Sequence, residues 1–160
     1  MKKIFLTITT AALLSVSVFA ADGGKKVNDG TTTASYAVQQ AFSADFSNAT
    51  NVVWTVTKNC QKVDFVSDGV KKTAFYNLSG EFLGTTQYTT YKAIPAKSQK
   101  LIADDYKGYT AGDVIVYQAN ESLNSDIEPT SYFVDLKNTS HEVLVRVTNS
   151  GNVEFFKQVK

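Results

Sequence analysis

Asn77-Leu78-Ser79-Gly80-Glu81-Phe82 returns further along the chain as Thr148-Asn149-Ser150-Gly151-Asn152-Val153. Lys62-Val63-Asp64-Phe65 returns at the same separation, 71 positions, as Phe133-Val134-Asp135-Leu136. Upstream the separation is shorter. Gln39, Phe42, Asp45 and Phe46 match Gln99, Ile102, Asp105 and Tyr106 at 60, and Val53-Trp54 matches Val114-Ile115 at 61. Self-similarity at a fixed spacing means that one supersecondary unit has been used twice. The jump from 61 to 71 places about ten extra residues in one loop of the second copy.

In the first copy (35–92), Ser35 is a good N-cap, and Val38, Ala41 and Phe42 follow at helical spacing until Phe46-Ser47-Asn48 ends the helix. Val52 to Val56 is β-branched and aromatic, and Lys62 to Val66 alternates polar and apolar like a half-buried strand. Ser67-Asp68-Gly69 reads as a hairpin turn, Lys72 to Tyr76 returns, Asn77 to Gly80 turns again, and Glu81 to about Tyr91 forms a fourth strand.

The second copy (93–160) opens with Pro95, suited to the first helical position. Leu101 and Ile102 repeat the apolar stripe, and Gly108 supplies a left-handed residue after the helix. Strands follow around 113–118, 131–137, 142–148 and 152–159. Between the first two lies the only large insertion, Ala119 to Thr130, a polar segment holding Asn120, Glu121, Asp126 and Glu128. A connection this long is either a recognition element or a tolerated insertion. The expected class is α+β, with two helices packed on one face of an eight-stranded antiparallel sheet.

Three segments carry a resemblance: Asp45 to Trp54, Val63-Asp64-Phe65, and Thr73 to Gly84. They resemble the β-lactamase-inhibitor-like, PepSY-like family of exported bacterial proteins over nearly the whole chain after residue 20. Ser47 replaces the proline usual in the family's acidic-Phe-Pro-x-Ala phrase, whereas Ile94-Pro95 is kept; the second copy has Ile115 where the first is aligned with its Trp. The resemblance implies a tandem α/β sandwich of inhibitor-like topology and an envelope location. Fold does not fix function, so it implies no particular inhibited enzyme.

Lys2 and Lys3 precede an apolar stretch from Ile4 to Phe19, and Ala20 offers the small residue of a signal peptidase site. Residues 1–20 therefore read as an export signal, and the Gly, Lys, Asn and Thr of 21–34 as a spacer. Thr7, Thr9, Thr10, Ser15 and Ser17 dilute the stretch below what a membrane span needs, so a soluble periplasmic or secreted domain is expected, without membrane insertion after cleavage. Removing Lys2 and Lys3 leaves 14 basic against 15 acidic residues, too balanced for nucleic-acid binding through counterion release. Cys60 has no second Cys to pair with and reads as a half-buried strand residue.

The inventory argues against an enzyme. His141 is the only His and falls at a predicted turn; a hydrolase would need it oriented by a carboxylate and facing a nucleophile, and the adjacent Glu142 points to the other face if both lie in a strand, so it reads as a solvated turn residue. Asp104 and Asp105 are adjacent on a helix and diverge, while Asp64 and Asp135 read as outward surface charges. No metal-ligand spacing occurs, the insertion lacks the periodicity of a calcium loop at Asp126 and Glu128, and no cofactor motif is present. The Asn-x-Ser/Thr triplets at Asn48, Asn77, Asn120 and Asn138 read as turn composition.

What remains is surface. Two helices cover one face of eight strands, so alternation forces part of the aromatic complement onto the other. Phe75, Tyr88, Tyr91, Tyr117 and Tyr132, with Asn120, Glu121, Asp126 and Glu128 of the insertion, are the candidate contacts for an envelope or extracellular protein. The alternative is a carrier or sensor holding a small apolar molecule between helices and sheet.

Overall fold

The computed structural model describes residues 33–122 and 128–160. The expected export signal, all but the last residues of the expected spacer, and Asp126 lie outside them. Ser35 caps α1 (Tyr36–Asp45), its hydroxyl accepting from the Val38 N–H at 3.4 Å. Val38 and Phe42, four positions apart, form the buried stripe of the helix. The strands β1 (Thr50–Val56), β2 (Gln61–Ser67), β3 (Val70–Tyr76) and β4 (Phe82–Thr89) follow as a meander. Asp68 and Gly69 both take positive φ, 52° and 76°, in the two-residue turn that joins Ser67 to its partner Val70.

A short 3-10 turn at Tyr91–Ala93 leads into α2 (Ala96–Asp105), then β5 (Thr110–Ala119), β6 (Thr130–Lys137), β7 (Glu142–Val147) and β8 (Val153–Gln158). All eight strands form one antiparallel sheet in sequence order, β1 to β8, as the duplication predicts. The copies agree down to single hydrogen bonds. Gln39 Nε2 donates to Ala34 O at 2.8 Å and Gln99 Nε2 to Ile94 O at 3.1 Å. The Phe46 N–H closes α1 on Phe42 O and the Tyr106 N–H closes α2 on Ile102 O.

Each copy buries its own core between helix and sheet. Val38 and Phe42 meet Val63, Phe65, Ala74 and Tyr76, with Trp54 and Phe82 half-buried at the margin. Ile94 and Ile102 meet Val114, Val134, Leu136, Val143, Val145 and Val147. At about 25 cal/mol per Å² of apolar area, these clusters are the main favourable contribution to folding.

Several expectations are corrected. Trp54 pairs with Val63 and Val114 with Val134, and Val63 and Val134 are equivalent, so the counterpart of Trp54 is Val114 rather than Ile115. The separation thus stays at 60 through Val56 and Val116, and the extra residues both lengthen the β5–β6 ladder, through 117–119 and 130–131, and form the loop between these strands. Both strands carry an early register shift, Thr50/Val53 and Ala111/Val114, which is what disguises the parity in the sequence. Pro95 is the N-cap residue, one position before the helix. Tyr91 sits in the 3-10 turn, β4 having ended at Thr89. Ala34 is buried under α1 and so belongs to the domain rather than to the spacer. Cys60 is buried, not half-buried.

Candidate functional site

The helices leave one face of the sheet uncovered, and strand register says which residues share it, because antiparallel partners point the same way. One row across it runs Thr55, Lys62, Phe75, Gly84 and Ala119; the next runs Val53, Asp64, Thr73, Thr86, Tyr117 and Ser131. A third joins Tyr88, Ile115, Phe133, Arg146 and Glu154, a fourth pairs Asp135 with Leu144, and a fifth Lys137 with Glu142.

The centre of this face buries itself. Phe75 is 3% exposed and Phe133 4%, although no helix among the described residues lies over them. Phe133 stacks edge-on against Phe156 at 5.0 Å between ring centroids. Tyr117 lies across Gly84, where a Cβ would meet the ring at 2.9 Å, and its hydroxyl donates to Leu83 O at 2.8 Å. Burial pushes the Tyr117 phenol above its ordinary pKa. Tyr88 is the ring that stands free, 48% exposed, its phenol raised first by partial burial and then by Asp113.

Charge surrounds this apolar floor. Lys62 faces Asp64 at 3.8 Å, and Asp64 Oδ1 accepts from Thr73 Oγ1 at 2.6 Å. In the second copy Leu144 stands where Thr73 stands in the first, so among the described residues Asp135 Oδ1 has no donor, while Oδ2 takes Lys137 Nζ at 2.7 Å. The hydrogen bond to Asp135, reinforced by Glu142 at 3.2 Å, holds the Lys137 pKa above the usual lysine value. Asp135, expected as an outward surface charge, does face away from the helices but is only 8% exposed.

The two ends of the insertion are fastened to different copies. The Asn120 N–H and Nδ2 donate to Leu83 O and Phe82 O, both at 3.0 Å. Glu128 Oε2 takes Arg146 Nη2 at 2.9 Å, and Arg146 also donates to Ser131 Oγ. Ala119 and Thr130 themselves are strand residues, so the loop proper is shorter than expected.

The candidate residues therefore divide. Phe75, Tyr88 and Tyr117 share the uncovered face, with Phe75 buried in its floor. Tyr132 packs on the helix side against the second core, and Tyr91 does the same, its hydroxyl donating to Gln99 O at 3.4 Å. Asn120 is occupied in hydrogen bonds, Glu121 is exposed, and Asp126 lies outside the described residues. Arg146 escaped the sequence reading, though its being the only Arg in the chain is a signal that could have drawn attention to it. His141 is exposed at a turn, its N–H donating to Asn138 Oδ1. Among the described residues no three His, Cys, Asp or Glu side chains converge as metal ligands would, and no helix is long and apolar enough to cross a membrane.

A concavity lies beside α1, a hollow of about 220 Å³ lined by Phe42, Phe46, Val52 and Trp54 and open to solvent. Val114 in place of Trp54 removes its aromatic wall from the second copy.

Comparison with solved structures agrees with this architecture. A BLIP-like protein from Bacteroides fragilis superposes with a TM-score of 0.65 at 20% identity, covering 81% of this chain and 89% of that one. The fold is BLIP-like. A DUF2874 family protein from Bacteroides uniformis gives 0.69 at 16% identity over 79% of this chain and 91% of its own. A protein described as a periplasmic candidate from Bacteroides eggerthii gives 0.65 at 17% identity over 79% and 88%. At these identities the likeness is one of fold. No protein-family model and no curated protein matches the sequence.

Proposed function

We propose that this BLIP-like protein is an exported, non-enzymatic binding module that engages an envelope protein through its uncovered sheet face, with the 119–130 loop at the margin. The observation that carries the reading is the construction of that face: a rigid apolar floor around Phe75 and Phe133, a free aromatic ring at Tyr88, and an ion-pair rim. Rigid aromatic anchors amid polar rims are the usual energetic centres of protein interfaces. Export rests on the signal-like residues 1–20, and the periplasmic description of a neighbour sharing the fold supports it. The hollow at Trp54, at about 220 Å³, is below the usual size of a small-molecule pocket and open to solvent, which weighs against the ligand-carrier alternative.

The test is capture from envelope extract with the intact protein, with Tyr88→Glu, and with Lys100→Glu on the helix side as control. A partner retained by the intact protein and by Lys100→Glu, with affinity lowered at least about tenfold by Tyr88→Glu, supports the reading. Equal retention by all three contradicts it.

A further inference from the structure

The two cores share no side chain, so what joins the halves is the β4–β5 ladder, running from Gly84 opposite Ala119 to Thr89 opposite Val114. A bare ladder between two cores of this size would let each half open by itself, since cooperative units follow local packing. The seam is not bare. In β4 the register jumps: Phe75 faces Gly84 but Tyr76 faces Phe82, leaving Leu83 bulged out of the β3 pairing. Gly84 takes φ +147° there, and an added Cβ would press on Gln118 O and on Tyr117.

The equivalent point of the second copy has no such jump. Arg146 faces Glu154 and Val147 faces Val153 in continuous register. The fourth strand of the second copy has its own break two positions earlier, between Leu144 and Val145, so what is particular to the seam strand is where the bulge falls. Its acceptors are met from across the seam: Leu83 O receives the Tyr117 hydroxyl at 2.8 Å and the Asn120 N–H at 3.0 Å, and Phe82 O receives Asn120 Nδ2 at 3.0 Å.

We infer that this bulge and the second copy's Tyr117 and Asn120 form a conformational lock. The bulge bends β4. The two side chains then hold the bend by bonding carbonyls of the other half, so that halves with separate cores move and unfold as one body with a single fixed angle between them. The inference is independent of any partner, because its readout is cooperativity rather than binding.

Trp54, the only Trp, reports the first half alone, whereas far-ultraviolet circular dichroism reports both. In the intact protein the two signals should melt together, the mark of one cooperative unit. In the Tyr117→Phe, Asn120→Ala double variant, which keeps the ring over Gly84, the midpoints should separate by about 5 °C or more. Native-state hydrogen exchange on the intact chain supplies a second measurement should the variant fail to fold. The β4–β5 amides should then exchange only with global opening, as slowly as the amides of Val63 and Val145. Separate melting in the intact protein, coincident melting in the double variant, or seam amides that exchange faster than both cores would each overturn the lock.

Discussion

Ser98 Oγ donates to the carbonyl oxygen of Gly151 at 2.9 Å, fully buried and across 53 positions of sequence. In the first copy Val38 takes the place of Ser98 and touches the glycine instead: a Cβ on Gly80 would lie 3.2 Å from Val38 Cγ2. The repeated turn is thus the seat on which each helix rests. Both glycines are needed for φ of +93° and +82°, and Gly80 also for room beneath the helix, whereas a Cβ on Gly151 would meet Lys97 and Ser98 at ordinary contact distance. Ser98→Ala should cost about 1 to 3 kcal/mol, the range for stranding a buried acceptor, read from the urea midpoint.

Tyr76 should behave in the opposite sense. Its hydroxyl is buried without a partner among the described residues, so Tyr76→Phe is expected to leave stability at pH 7 unchanged or raise it by up to about 1 kcal/mol. Burial first, and Asp45 second, push the phenol well above its ordinary 10.0. A folded-state pKa above the unfolded one gives stability that is complete below pH 10.0 and is lost as pH rises beyond it. The intact protein should therefore lose stability steeply between about pH 10 and 12, and Tyr76→Phe should flatten that slope. Tyr117, Tyr88, Tyr91 and Tyr106, shifted the same way, supply the slope that remains.

Trp54 packs edge-on against Phe42 with centroids 5.4 Å apart, but its outer edge lines the open hollow. Trp54→Ala should cost about 3 kcal/mol, the low end for a large core aromatic, measured by urea denaturation.

Replacing residues 119–129 by Asn-Gly, so that the turn joins the paired Gln118 and Thr130, should preserve the β-sheet spectrum, because a two-residue turn closes a hairpin. It should not be neutral. The exchange removes the Asn120 bond to Phe82 O and the Glu128 bridge to Arg146, with an expected loss of about 1 to 2 kcal/mol in urea.

Element order was legible because the chain writes the unit twice, and Asp68-Gly69 marks its hairpin without help from packing. Which face a ring takes was less legible. Phe133 and Val134 are adjacent, point to opposite faces and are both buried, since the uncovered face buries its own centre. No alternation survives for the sequence to show there. Tyr132 consequently reads as an exposed candidate although it faces the second core, and the early register shift in β5 moves the partner of Trp54 by one position. The network around Arg146 depends on Glu128 and Ser131 at the start of β6 and on Glu154 in β8, two segments that only the folded sheet brings together with it.

The outermost strands have a consequence for crowded solutions. β1 breaks its ladder between Thr50 and Val53, with Asn51 at φ +53°, and β8 pairs with β7 across a break between Leu144 and Val145. A neighbouring molecule laid along either rim finds no long straight run of free amides to copy. Templated polymerisation, the hazard of any sheet with two open ends, is starved of a template at both, and concentrated preparations should remain free of fibrils.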